Sequence, residues 1–218
     1  MTRRRAAILI SGRGSNMSSL LAAAAAPDFP VRFVTVISNR PDAAGLRHAA
    51  ELGIAAELVD HKLFGDRSGF ETALEARLRA HDIEFVCLAG FMRLLTAPFA
   101  TRWRDKLMNI HPSLLPAFPG LDTHARALAA GVRFTGCTVH LVRPETDSGP
   151  IIAQAVVPVQ PQDDAPSLAA RVLEAEHRLY PFAVRLFAGG AARVVGDRIA
   201  YAPGPGFPEH VMLSPIPG

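Results

Sequence analysis

Ala6-Ala7-Ile8-Leu9-Ile10-Ser11-Gly12-Arg13-Gly14-Ser15-Asn16 sets five apolar residues against a short polar turn that holds two glycines. The apolar run has no alternation, so it predicts a strand covered on both faces, as strands of a parallel sheet are. Beyond the turn, Met17 to Ala26 is rich in alanine and leucine, favours helix, and stops before Pro27. A buried strand, a glycine turn and a helix form the opening unit of an α/β fold.

The same grammar repeats downstream. Val31 to Ile37 is β-branched and predicts a second strand; Asp42 is placed to cap a helix running to about Leu52, with Gly53 as its stop. A short strand is expected over residues 55–59, then a helix over 68–81 with Leu74 and Leu78 on one apolar face. Phe85 to Ala89 and Leu107 to Ile110 are further buried strands. Alternation of this kind implies right-handed crossovers and a parallel sheet. After that the pattern changes. Residues 134–142 and 150–157 are strand-like and separated by only seven residues, which suits antiparallel neighbours. A long helix over 165–188 ends at Gly189-Gly190, and residues 193–201 predict a small hairpin about Gly196-Asp197. The Pro/Gly-rich tail, residues 203–218, is expected to be extended or disordered.

Composition narrows the function classes. Nearly half of the 218 residues are hydrophobic and a fifth are charged, enough for one large core. The formal charge of +3 gives no basis for nucleic-acid binding, and Arg3-Arg4-Arg5 suits a solvated chain end. Cys87 and Cys137 sit in apolar runs without metal-ligand spacing, so buried thiols in a reducing compartment are expected. No secretory signal and no run near the roughly 20 apolar residues of a membrane span is present, so the expectation is a soluble cytoplasmic protein, with no membrane or nucleic-acid partner.

Two segments carry chemistry. In Asn109-Ile110-His111-Pro112-Ser113-Leu114-Leu115-Pro116, Asn109 and His111 are two residues apart on a strand and project to one side. They offer an amide donor for a developing oxyanion and a group that titrates near neutrality, a pairing suited to acyl transfer. Pro112 and Pro116 stop the strand and stiffen its exit. A carboxylate beside His111 would orient the ring and favour its charged form. Asp147 is the strongest candidate, Asp122 and Asp105 are also available, and spacing does not choose among them. In the first turn, the glycines let amide N–H groups and a helix N-terminus face an anion. This is neither a dinucleotide fingerprint nor a Walker loop, so a phosphate monoester is the better guess. His124 follows the proline-rich loop and could line a site. Phe91 to Leu95 follows a strand's carboxyl end, where open α/β sheets bind ligands. His48, His61 and His81 suggest no metal, and Glu176-His177 is undecided between an exposed pair and a substrate contact.

Taken together these segments resemble the folate-dependent phosphoribosylglycinamide formyltransferases. The matching stretches are Ile10 to Asn16, Leu88-Ala89-Gly90-Phe91-Met92-Arg93, Asn109 to Pro116, and Thr138-Val139-His140 leading to Asp147-Ser148-Gly149-Pro150-Ile151-Ile152. Glu176-His177 and Tyr180-Pro181 extend the resemblance over roughly residues 6–190. It implies a single-domain Rossmann-like formyltransferase fold over 1–202, mostly parallel, flanked by helices, with an antiparallel C-terminal part. A phosphate-binding half would end near residue 105 and a folate and catalytic half would follow. The implied catalytic residues are Asn109, His111 and Asp147. Gly14, Ser15 and Asn16 would hold the substrate phosphate, with Leu173, Glu174, Ala175 and Glu176 on the substrate side and Glu176 near its amine. The folate side would comprise Arg67, Met92, Arg93, Leu94, Leu95, Asn109 and the loop Arg143, Pro144, Glu145, Thr146, Asp147. The implied substrates are glycinamide ribonucleotide and 10-formyltetrahydrofolate, with no metal, in a monomer or homodimer. Arg13 could add a phosphate contact. Asp122 stands where many relatives carry histidine, so no role is carried onto it. The tRNA-formylating and hydrolytic folate enzymes are near rivals, and a non-catalytic phosphate-binding module is a distant one.

Overall fold

The structure, a computed structural model, describes residues 3–204, 206 and 214. The expected tail therefore lies almost wholly outside the described residues. Seven strands form the main sheet: β1 (Arg4–Ile10), β2 (Val31–Ser38), β3 (Ala55–Leu58), β4 (Phe85–Leu88), β5 (Leu107–His111), β6 (Phe134–Leu141) and β7 (Ile151–Pro158). Their order is β3-β2-β1-β4-β5-β6-β7. β1 to β5 pair in parallel, while β5–β6 and β6–β7 are antiparallel. This is the mixed α/β sheet with an antiparallel C-terminal part that the runs and the short connection predict.

β1 shows why its sequence has no alternation. Ala6, Ile8 and Ile10 face one core, Ala7 and Leu9 face the other, and all five are fully buried. On the first face lie α1 (Ser15–Ala24), α2 (Ala44–Glu51), α5 (Thr123–Ala129) and α6 (Ala165–Ala188), packed through residues such as Met17, Leu20, Ala49, Leu128 and Val172. On the second lie α3 (Arg67–Ala80) and α4 (Ala97–Arg102), through Phe70, Leu74, Leu78 and Phe99. A hairpin of β8 (Ala192–Val195) and β9 (Arg198–Tyr201) stands apart from the main sheet and is tied to β7 by the Tyr201 hydroxyl, which donates to the Ile152 carbonyl at 2.6 Å. Among the described residues no helix is long and apolar enough to cross a membrane.

Two local expectations are corrected, and two short helices join the expected ones. Helix α1 starts at Ser15 rather than Met17, because Gly14 turns the chain at φ +77° directly into the helix. Asp42 does not cap α2; the cap position is Ala43, and Asp42 instead pairs with Arg40 at 2.8 Å, which holds its carboxyl below the usual range. Helices α4 and α5 have six and seven residues, too short for a helical period to stand out.

The chain winds outward from β1 to β3, then returns to lay β4 on the other side of β1. That reversal opens a crevice at the carboxyl ends of β1 and β4, the usual ligand position in such sheets. The buried Tyr180 of α6 braces the neighbouring edge: its hydroxyl lies 2.9 Å from the Leu88 carbonyl of β4 and 3.1 Å from the Met108 carbonyl of β5.

Candidate active site

The turn after β1 lines the crevice. Gly14 occupies the N-cap position of α1 without any side-chain cap, so the first amides of the helix remain available to an anion. Ser11 to Asn16, Arg40, Ala89, Gly90 and Met92 surround a space of about 300 Å³. Ser11 fixes the loop: its hydroxyl donates to Asn39 Oδ1 at 2.5 Å and accepts the Met92 N–H at 2.8 Å. Gly45 of α2 backs it, donating its N–H to the Gly12 carbonyl at 3.1 Å. A Cβ at Gly45 would lie 2.6 Å from Ile10 Cδ1 and 3.2 Å from the Gly12 oxygen, so any larger residue there would have to shift the Ile10 side chain and crowd the loop.

Helix α6 delivers Glu176 to the same crevice. Asn16 Nδ2 donates to Glu176 Oε2 at 2.6 Å, while Asn16 Oδ1 is buried with no protein partner. Burial pushes the Glu176 carboxyl up to about 7, although the bond from Asn16 pulls the other way. The crevice thus holds a buried acid poised near neutrality beside an unused acceptor, both suited to a ligand rich in hydrogen-bond donors. Leu173 and Ala175 are half-buried on the same helix, and Glu174 is exposed.

At the carboxyl end of β5 the catalytic candidates assemble. His111 is 5% exposed, with Nδ1 3.3 Å from Asp147 Oδ2 and Nε2 3.0 Å from the Phe118 carbonyl. Both ring nitrogens thus face oxygen atoms. Asp147, at φ +52°, also accepts the Gly120 N–H at 2.8 Å. Asn109 pairs in register with His140 of β6, and its Nδ2 lies 3.3 Å from His140 Nε2. His140 Nδ1 faces the Leu141 carbonyl at 3.1 Å, so the neutral ring presents Nε2 as an acceptor. Burial is the largest cause that lowers the His140 pKa and favours this neutral form. Asn109 Nδ2 carries two hydrogens; His140 takes one and the other is left for a ligand. His124 Nδ1 is buried without a protein partner, and burial lowers its pKa, with the nearby His111 adding to the shift.

The other two carboxylate candidates are elsewhere. Asp105 bonds Arg143 at 2.7 Å, and Asp122 stands at φ +56° before α5 without capping it. Between the anion loop and β5, the segment after β4 exposes Met92 by 70% and Leu94 by 59%. Phe91 stacks on Phe70 at 6.4 Å, Arg93 lies 6.0 Å over the Phe70 ring, and Leu95 packs against the same core. Arg67 opens α3 and is exposed. Among the described residues no group of three or more His, Cys, Asp or Glu is arranged to hold a metal ion.

The Formyl transferase family profile matches residues 4–184. The chain belongs to this family. It is similar to the phosphoribosylglycinamide formyltransferase of Haemophilus influenzae, 37% identical over 94% of this chain and 97% of that protein. It is 46% identical over 87% of its length to the trifunctional purine biosynthetic protein adenosine-3 of Gallus gallus, of which it spans only 19%. The solved structure of glycinamide ribonucleotide transformylase 1 from Symbiobacterium toebii superposes with a TM-score of 0.88, at 45% identity, covering 91% of this chain and 94% of that one.

In this formyl transferase, Asp147 rather than Asp105 or Asp122 stands beside His111, Asn109 lies on the same strand, and Asn16 meets Glu176 across 160 positions. Arg143 turns its side chain inward, where it is buried and pairs with Asp105 and Asp197. Sequence reasoning assigned nothing to His140, Ser11, Asn39 or Gly45. A glycine inside a helical stretch was the one available signal, since it marks close backbone approach. The partners of the other three depend on strand register and cannot be read along the chain.

Proposed function

We propose that this formyl transferase moves the formyl group of 10-formyltetrahydrofolate to the primary amine of glycinamide ribonucleotide, in the de novo purine route and in the cytoplasm. The observation that carries the reading is the joint presence, at the carboxyl ends of the parallel strands, of an anion-ready helix start and the Asn109–His111–Asp147 constellation. Binding alone requires none of those three side chains. The likeness to a bacterial phosphoribosylglycinamide formyltransferase and to a glycinamide ribonucleotide transformylase supports the ribonucleotide as the formyl acceptor.

The residues divide the work as follows. The amides of Gly14, Ser15 and Asn16 hold the phosphate, and the Asn16–Glu176 pair meets the glycinamide end. Met92 and Leu94 cover the folate ring, with Arg67, Arg93, Leu95 and the 143–147 backbone beside it. The amine attacks while neutral, and negative charge develops on the former formyl oxygen. Asn109 donates its free Nδ2 hydrogen to that oxygen. The His111 Nε2–H exchanges the Phe118 carbonyl for it. Each such donor contributes on the order of 3 kcal/mol to the transition state. Asp147 keeps His111 charged and oriented and passes the amine's proton, through water, toward the departing folate nitrogen.

A spectrophotometric assay of deformylated folate release, with and without glycinamide ribonucleotide, tests the reading. Release that depends strictly on the ribonucleotide is the expected result. Release without it would mean a hydrolase. No release from folded protein would leave a binding module or another acceptor.

A further inference from the structure

We propose that Arg143 is a positioning residue that braces the Asp147 loop from behind, and that its guanidinium does not bind folate. The inference builds on the proposed reaction only for its kinetic readout.

The loop from Val142 to Gly149 is closed at its base. Leu141 donates its N–H to the Pro150 carbonyl at 2.9 Å, and Gly149 packs so near that a Cβ there would lie 1.7 Å from the Leu141 oxygen and 3.1 Å from Arg143 Cγ. At the far end Asp147 is held by Gly120 and His111. Between base and tip the chain's own bonds are few, such as Ser148 Oγ donating to the Glu145 carbonyl at 3.0 Å. Arg143 supplies the missing constraint. Its side chain is 5% exposed and each guanidinium nitrogen already has an acceptor. Nη2 donates to Asp105 Oδ1 at 2.7 Å, Nε to Asp197 Oδ1 at 3.2 Å, and Nη1 to the Val142 carbonyl at 3.2 Å.

A buried cation persists only where its charge and its donors are matched, so this geometry is strongly preferred. Three of its five N–H donors are taken and the side chain is 5% exposed, so the guanidinium offers little to a folate carboxylate. Arg104 stands 3.7 Å from the same Asp197 oxygen, so two arginines and two aspartates form a neutral cluster. The cluster joins three separate parts of the chain: the turn before β5, the base of the Asp147 loop, and the turn between β8 and β9. The β8–β9 turn lies beyond residues 4–184 that match the family profile. The brace therefore uses a C-terminal hairpin to steady a catalytic carboxylate.

The test compares Arg143→Ala, Arg143→Lys and the pair Asp105→Asn/Asp197→Asn with the unaltered chain, by amide hydrogen exchange and by kcat and KM for both substrates. In Arg143→Ala, amides of residues 142–149 should exchange about tenfold faster or more, while the strands of the main sheet keep their protection. Turnover should fall roughly 10- to 100-fold, as expected for a small misplacement of a catalytic group, with the ribonucleotide KM within about twofold. The paired aspartate variant should move both readouts the same way, and Arg143→Lys should recover part of each. A higher folate KM with unchanged turnover and unchanged exchange would make Arg143 a folate ligand and overturn the proposal. So would loop exchange and turnover that match the unaltered chain in every variant. The exchange arm needs no activity: loosening of the loop in a chain that transfers no formyl group would sink the proposed reaction and uphold the brace.

Discussion

Replacing Glu176 with glutamine isolates the energetic cost of a buried acid beside the substrate crevice. Glu176 is 7% exposed, and burial moves its carboxyl from an ordinary 4.5 to about 7. At 1.36 kcal/mol for each tenfold change in proton affinity, that shift is worth about 3 kcal/mol. The sign follows from which state binds the proton more tightly. Below pH 4.5 both folded and unfolded chains are protonated, and the protonated side chain fits the fold. As pH rises through 7 the unfolded chain has already released its proton, so the folded state loses its relative stability by about 3 kcal/mol. Glu176→Gln keeps an oxygen for Asn16 to donate to but carries no titration. Urea unfolding of both proteins at several values between pH 4.5 and 8 measures the difference. The glutamine variant should gain on the unaltered chain as pH rises, by up to about 3 kcal/mol. Parallel curves would refute the assignment of a raised pKa and the desolvated setting behind it.

Other perturbations probe the scaffold and the anion loop. Gly14→Ala must hold an alanine at φ +77°, with its Cβ 3.1 Å from Met17 Cε and 3.3 Å from Gly45 Cα. It should cost about 1 kcal/mol in thermal or denaturant unfolding and raise the ribonucleotide KM roughly tenfold, with the folate KM unchanged. A folate effect of equal size would show that the loop serves both ligands. Tyr180→Phe removes the hydroxyl that lies between the Leu88 and Met108 carbonyls. It should lower unfolding free energy by about 1 to 2 kcal/mol, and unaltered stability would mean that those carbonyls are satisfied without it.

Much of the architecture is legible along the chain because burial on two faces leaves a sequence mark. The unbroken apolar runs of β1 and β4 follow directly from having helices on both sides, and the nine-residue connection between β6 and β7 has no room for a crossover helix. The 24-residue α6 is equally plain, since Asp164 and Gly189 flank a long amphipathic pattern. Short elements leave too little pattern, which is why α4 and α5 went unseen. The active-site residues follow the same logic. Asn109 and His111 share a strand, so their common side is a local property. The choice of carboxylate among Asp105, Asp122 and Asp147 depends on β6 pairing with β5, which brings the following loop back beside His111. The role of His140 and the inward turn of Arg143 depend on that same pairing, and no spacing along the chain encodes it.

The most direct test of the catalytic account is the steady-state kinetics of Asp147→Asn with both substrates. Asparagine keeps an oxygen for Gly120 and His111, 2.8 and 3.3 Å away, but removes the charge that holds the imidazolium and accepts the proton. The account predicts a fall in kcat of roughly 100-fold or more, with KM for the ribonucleotide and the folate within about threefold, the signature of an interaction made in the transition state. Near-normal turnover in that variant would contradict it.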